Sequence, residues 1–275
     1  MSLRINHNIM SLTAQRNLGK TDSLMGRSLE RLSSGLRINR AADNPAGLVI
    51  SEQMRAQIAG LNQAIENSER GVTFAQVADG ALVEINGILN HMRTLALDSA
   101  NEAVNDTAAL TANQNEITSA IAAIDRIGAN TKYGTKTMFS GSSYTFQIGG
   151  NAGQTAAITL SSISSAALAT GSLAGITVGD ATAATAALGV IDFAITEVAA
   201  LRGTIGSFQA NTLETNISNL RVSMENLTAA ESTIRDADFA NEMANFTRAQ
   251  ILMQAGTSML AYANQGPSAV LSLLG

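Results

Sequence analysis

Apolar residues recur in alternating steps of three and four along most of this chain, with almost no proline to interrupt them. That regularity confines the fold to long helices packed lengthwise. Only Pro45 and Pro267 occur in 275 residues, well under the usual ~5%. Nothing between them forces a helix to break on proline's account. Pro45 instead favours a helix start, because Asn44 suits an N-cap and proline suits the first helical position.

Leu18, Asp22, Met25, Leu29, Leu32 and Leu36 form the first seam, with Asp22 as its exception. Met54, Ile58, Leu61, Ile65, Ser68 and Val72 form the next. Phe74, Ala78, Ala81, Ile85, Ile88, Met92 and Leu95 continue it out of phase, which predicts a stutter near Val72 to Phe74. Leu110, Gln114, Ile117, Ile121 and Ile124 make a shorter helix that stops near Gly128. Past Ala181, Leu188, Ile191, Ile195 and Val198 are in phase, and Leu201, Ile205 and Phe208 are shifted. Leu213, Ile217, Leu220, Met224, Leu227 and Ile234 resume the seam. Phe239, Met243, Phe246, Gln250, Met253, Thr257 and Leu260 close the chain in the same rhythm.

Residues 131–180 read differently. Gly, Ser and Thr replace the 3–4 pattern, and Tyr144–Ile148 alternates like a strand before Gly149-Gly150. Ala157–Leu160 is a second strand candidate and Ile176–Val178 a weaker third. The fold class expected is mainly α: a long antiparallel helical bundle or coiled coil, helical at both termini, with a small β-hairpin region mid-chain. The segments are 1–43, a terminal helix and linker; 44–130 and 181–235, the two parts of the bundle; 131–180, the hairpin and loop region; and 236–275, the C-terminal helix. A lone helix of ~36 residues would be about 54 Å long and would expose its whole apolar stripe. The two ends must therefore pack on each other or on other copies of the chain.

Composition removes several function classes. Aromatics are 4% with no Trp, so an ordinary core anchored by large rings is not expected. No cysteine is present, which excludes disulfides, thiolate catalysis and Cys-based zinc sites. Net charge is −5 and the three lysines are scattered, so nucleic acid has no basic footprint to bind. The N-terminal residues lack the pattern of a cleavable signal peptide, and no stretch reads as a membrane span.

Reactive constellations are equally sparse. His7 and His91 lie on different helices and read as exposed positions. Gly19-Lys20-Thr21 lacks the upstream glycine of a phosphate loop, since position 14 is Ala14. Asp236-Ala237-Asp238 lacks the remainder of a calcium loop and reads as a helix cap. Neither a cofactor nor a metal is expected, and the chain does not read as an enzyme. Met243, Met253 and Met259 at helical spacing read as packing residues rather than an adaptable groove.

Both ends carry long segments that resemble bacterial flagellin. At the N-terminus they are Ile5–Asn8, Ser11–Leu18, Ser28–Asn39 and Ala41–Leu48. At the C-terminus they are Ile234–Ala240 through Gln254-Ala255-Gly256, then Ala263–Pro267 and Val270–Leu274. The resemblance covers nearly everything outside the middle. It implies a filament subunit whose terminal helices pair as a coiled coil and line the filament core. About 50 mid-chain residues leave no room for a separate outer domain, so the chain looks like a minimal member.

The resemblance places the polymerisation core on Ile5, Ile9, Leu12, Leu18, Met25, Leu29, Leu32, Phe239, Met243, Phe246, Met253, Leu260 and Leu273. It implies many copies of the chain in one homopolymer, extracellular in the flagellum. It also implies unfolded export by the flagellar type III route without a cleavable signal. A chaperone on the C-terminal helix (Phe246, Ile251, Leu252, Leu260), a filament cap and hook-associated junction proteins are the implied partners. Many members are recognised by Toll-like receptor 5, and the matching patch is Leu89, His91, Arg93, Leu95 and Glu116. His91 stands where recognised members carry Arg, and losing that fixed fork of donors predicts weaker recognition. Ser140, Ser142, Ser143, Ser161 and Ser162 are candidate O-glycosylation sites, as in some flagellins, against the plainer reading of a polar loop. A hook–filament junction protein and a secreted ligand of a host innate receptor are the alternatives.

Overall fold

The computed structural model describes residues 7–271. Six α-helices carry the described chain: α1 (Ile9–Ser34), α2 (Pro45–Ser99), α3 (Thr107–Asn130), α4 (Ala181–Ser207), α5 (Thr215–Arg235) and α6 (Phe239–Leu271). Between α3 and α4 lie two antiparallel strand pairs. They are β1 (Lys132–Tyr133) with β2 (Lys136–Thr137), and β3 (Ser143–Gln147) with β4 (Thr155–Thr159). The chain divides into two compact units. One joins the chain up to Ala56 with the chain from Asn226, and the other is Gln57–Glu225. These divisions fall inside α2 and α5, whereas the sequence suggested divisions at the linkers near 44 and 235.

In the larger unit, α2, α3 and α4 bury one continuous core, and the segment after α3 closes it. Leu82, Ile85, Leu89, Met92, Ile117, Ile124 and Ile191 are fully buried, as are Met138, Leu160 and Leu173 from the β region. The inward seam of α2 is Ala78, Leu82, Ile85, Leu89, Met92 and Ala96. Ala81, Ile88 and Leu95, expected in the seam, are only half-buried at its side. The helix runs unbroken through Val72 to Phe74, and its buried face there widens to include both Phe74 and Ala75. Five rings gather at one place: Phe74 contacts Tyr133, Tyr144 and Phe146, with centroids 5.0–5.5 Å away, and Phe146 reaches Phe208.

The shift expected at Leu201 does not occur: Ile191, Ala194, Val198, Ile205 and Phe208 continue one buried face, and the phase changes only past Phe208. Phe208–Glu214 is a π-helical turn that joins α4 to α5 without a break. One wider turn rotates the following residues, so Phe208 and Leu213 both face the core. At the far end of α3, Gly128 does not stop the helix, which continues to Asn130. Its role is close packing: a Cβ there would lie 1.9 Å from the Ile163 carbonyl oxygen.

Polar side chains pin the irregular segment before α4. Asp125 accepts from both the backbone N–H and the hydroxyl of Ser165, at 2.6 and 2.8 Å. Gln114 donates to the Ile176 carbonyl (3.2 Å) and accepts from the Val178 N–H (2.7 Å). Ile176–Val178 is therefore not the third strand. One glutamine holds its Ile176 carbonyl and Val178 N–H in place of a strand partner, which also explains a polar residue in the α3 seam.

By length and composition alone, α2 and the continuous rod Ala181–Arg235 are apolar enough to cross a membrane, contrary to the sequence reading. Their alanine-rich sequences produce that result. In this fold Ala184, Ala187, Ile191, Ala194 and Val198 face the core, while Arg93–Asp192 and Arg202–Asp79 pair the helices at 2.7 Å.

In the smaller unit, α1 and α6 lie antiparallel. Asn8 caps α1 by accepting from the Ser11 N–H and donates to the Ala263 carbonyl at 2.6 Å. Gly35, at φ 74°, ends α1 in the left-handed conformation that glycine adopts without penalty. The two linkers then run side by side. Arg37 N–H donates to the Arg235 carbonyl (2.7 Å), and Ala237 N–H donates to the Gly35 carbonyl (2.9 Å). Ile38 is buried beside Gly47, and Asn44 caps α2 through the Gly47 N–H, as expected. Asp238 caps α6 through the N–H groups of Ala240 and Asn241.

Candidate assembly interface

Small or polar residues make up more than half of the face that joins α1 to α6. On α1 the inward positions are Ser11, Ala14, Leu18, Thr21, Met25, Ser28 and Leu32; on α6 they are Glu242, Phe246, Ala249, Met253, Gly256, Leu260 and Ala263. Both series step regularly by three and four, as a coiled-coil seam does. Apart from Ser11, large apolar residues alternate in each with small or polar ones. Only Ser28, Ala249 and Glu242 are buried, and Glu242 pairs with Arg31 at 3.6 Å. Gly256 lets the helices approach: a Cβ there would lie 3.0 Å from Leu18 Cδ1.

The bulk goes outward. Eleven of the twenty exposed large hydrophobic side chains among the described residues lie on these two helices. Met10, Ile251, Met259 and Tyr262 are 67, 61, 62 and 70% exposed. A groove of about 530 Å³ runs between the helices, with Met10, Leu18, Leu252 and Met259 among its walls. A two-helix pair that leaves this many large side chains in water and gives half of its seam to small ones buries too little to be stable alone. Its charge is also unbalanced: among the described residues Arg16, Lys20, Arg27 and Arg248 form no ion pair, and Asp22 is the one acid of these helices without one.

The structure sorts the expected polymerisation residues into two groups. Leu18, Met25, Leu32, Phe246, Met253 and Leu260 sit half-buried in the seam. Ile9, Leu12, Leu29, Phe239 and Met243 face outward and are exposed, which corrects the single-seam reading of both helices. Ile5 and Leu273 lie outside the described residues. Sequence reasoning missed Met10, Leu24, Ile251, Leu252, Met259 and Tyr262 as members of the outward face. A helical wheel that allowed small residues in the seam would have found them.

Of the candidate receptor patch, Leu89 is fully buried in the core and Leu95 half-buried. His91, Arg93 and Glu116 are exposed. His91 is not unpartnered: its Nε2 lies 2.9 Å from Glu116 Oε1, and Arg93 is paired to Asp192. Ser140, Ser142, Ser143, Ser161 and Ser162 are all exposed. Ser165, another hydroxyl of that stretch, is buried against Asp125. Among the described residues no three His, Asp or Glu side chains gather as metal ligands.

The profile for the bacterial flagellin N-terminal helical region matches residues 5–144, and that for the C-terminal helical region matches residues 188–274. The chain belongs to the bacterial flagellin family. It is a structural subunit of the flagellar filament. Relatives span its whole length: flagellin of Halalkalibacterium halodurans is 44% identical, over 98% of this chain and 99% of the relative. Bacillus subtilis flagellin is 41% identical over 99% and 100%. A flagellar filament 33 kDa core protein of Treponema phagedenis is 40% identical over 98% and 99%. Flagellins are structural proteins, and the two profiles together include α1 and α6.

Proposed function

We propose that the outward apolar faces of α1 and α6 are the polymerisation surface, covered in the filament by the same helices of other copies. The observation that carries this is the inversion of the helix pair: half of its seam is small residues, while eleven large apolar side chains face water. A contact between unlike patches that does not close on itself extends indefinitely. The α1–α6 pair is net positive while the whole chain carries −5, so acidic groups that offset its charge in the filament come from other regions of neighbouring copies, beside the apolar contact.

The same outward face, including Ile251 and Leu252, is the surface that an export chaperone would cover before assembly. Unfolded export by the type III route, folding under a filament cap and junction proteins at the hook complete the pathway proposed from the family. His91, Arg93 and Glu116 form the exposed part of a receptor patch in which His91 is engaged by Glu116. His91→Arg is expected to strengthen binding to Toll-like receptor 5, and an unchanged affinity would dismiss His91 as the cause of weak recognition. The five exposed serines are accessible to O-glycosylation, and an unmodified mass for native filaments would reject it.

Electron microscopy of purified subunits grown on filament seeds tests the assembly surface. The full chain is expected to extend uniform filaments, and a version lacking residues 1–36 and 236–275 to remain monomeric. Filament growth by the truncated version would refute the proposal.

A further inference from the structure

Methionine is distributed unevenly over the molecule. In the larger unit Met92 and Met138 are fully buried. The three exposed methionines among the described residues, Met10, Met243 and Met259, all lie on α1 and α6. Met10 and Met259 face one groove from opposite helices, and Met243 lines a second with Ile251 and Leu252. Leucine or isoleucine would supply the same apolar area at each position, as Ile251 and Leu252 do beside them. A thioether differs in its flexibility and in its reactivity toward peroxide, and only the second makes it a site of modification.

We propose that Met10, Met243 and Met259 are oxidation sites whose state decides whether a free subunit can join the filament. This inference rests on the polymerisation surface proposed above. A sulfur lone pair attacks one oxygen of hydrogen peroxide, the O–O bond breaks, an S–O bond forms and water leaves. Sulfur is oxidised by two electrons and the peroxide is reduced. The product carries a strong acceptor oxygen where the filament requires an apolar contact, and burying that oxygen unpaired opposes assembly. The free subunit is vulnerable, whereas assembly covers the same sulfurs. The switch therefore acts on the pool awaiting incorporation and leaves finished filament intact. Methionine sulfoxide reductases reverse the change.

The experiment treats free subunits and intact filaments of the full chain with hydrogen peroxide. Each sample is mapped by peptide mass, and seeded elongation is then measured. In free subunits, a gain of about 16 Da per site is expected at Met10, Met243 and Met259 well before Met92 and Met138. In filaments the first three should be protected. Oxidised subunits should elongate on the order of tenfold more slowly or worse, and a methionine sulfoxide reductase should restore the rate. A variant with Met10→Leu, Met243→Leu and Met259→Leu, compared with its own untreated rate, should lose the peroxide sensitivity of elongation. Normal elongation by oxidised subunits overturns the proposal, as does equal peroxide sensitivity of the triple variant. Failure of untreated subunits to elongate overturns the assembly reading instead. The order of oxidation in free subunits and filaments then still supports or overturns the methionine assignment.

Discussion

Replacing Met10, Ile251 and Met259 together by glutamine separates assembly from folding. These side chains are 67, 61 and 62% exposed in the single subunit, so the subunit itself gains little from them. Full burial of such a side chain is worth about 1.5–3 kcal/mol. A neighbouring copy that covers the exposed fraction therefore gains about 1–2 kcal/mol per residue, or about 3–5 kcal/mol for the three. At 1.4 kcal/mol per decade, the critical concentration for seeded elongation should rise by about two to four orders of magnitude. Glutamine is a good helix former, and exposed substitutions shift stability by about 0.5 kcal/mol or less. Thermal unfolding of the free variant, followed by circular dichroism, should therefore match the parent within a few degrees. Elongation within about threefold of the parent, roughly 0.6 kcal/mol, would refute the inverted helix pair as the polymerisation surface. So would a loss of elongation accompanied by an equal loss of subunit stability.

Three further outcomes follow from the interior and the linkers. Gly128→Ala places a Cβ 1.9 Å from a backbone oxygen, which a side-chain shift cannot relieve. It should cost about 2–3 kcal/mol or more and lower the melting temperature by about 5–10 °C. Gln114→Ala should cost about 1–2 kcal/mol and raise amide exchange at Val178 selectively, because that N–H loses its acceptor. Asp43 and Asp238 are held below the ordinary carboxylate range by the backbone N–H groups of Arg40 and Asn241, and Glu52 by the Arg235 guanidinium. A lowered folded-state pKa gives stability that is complete above the ordinary value and is lost as pH falls through the lowered one. Acid titration should thus release the amides of Asn39, Arg40, Ala240 and Asn241, and Asp43→Asn should make Asn39 and Arg40 exchange insensitive to that titration.

The helical architecture was legible because its signal is long: a 3–4 rhythm sustained over whole helices does not need packing to reveal it. The sequence shows a phase shift along Ala181–Arg235 but puts it at Leu201, whereas one π turn from Phe208 absorbs it. What misled the reading of α6 was side-chain size. Phasing the α6 seam from the bulky Phe239 and Met243 carried Gln250 and Thr257 into it, where Glu242, Ala249 and Gly256 stand. In α2 Ile88 and Leu89 are equal in size, and only the packing of neighbouring elements decides that Leu89 is the buried one. The two-residue strands β1 and β2 carry no periodicity to detect. Gly128 looked like a helix stop because its function depends on Ile163, which is distant in sequence. Of the receptor patch, the residue types were legible but the burial of Leu89 and the His91–Glu116 pair were not.

The most direct test is a cryo-electron microscopy structure of filaments grown from this chain, with side chains resolved along α1 and α6. Met10, Leu24, Ile251, Leu252 and Met259 should each lie within van der Waals contact of neighbouring copies, with Arg16, Lys20, Arg27 or Arg248 near acidic groups of those copies. If these apolar side chains instead face water in the central channel, while another surface holds the copies together, the account is contradicted.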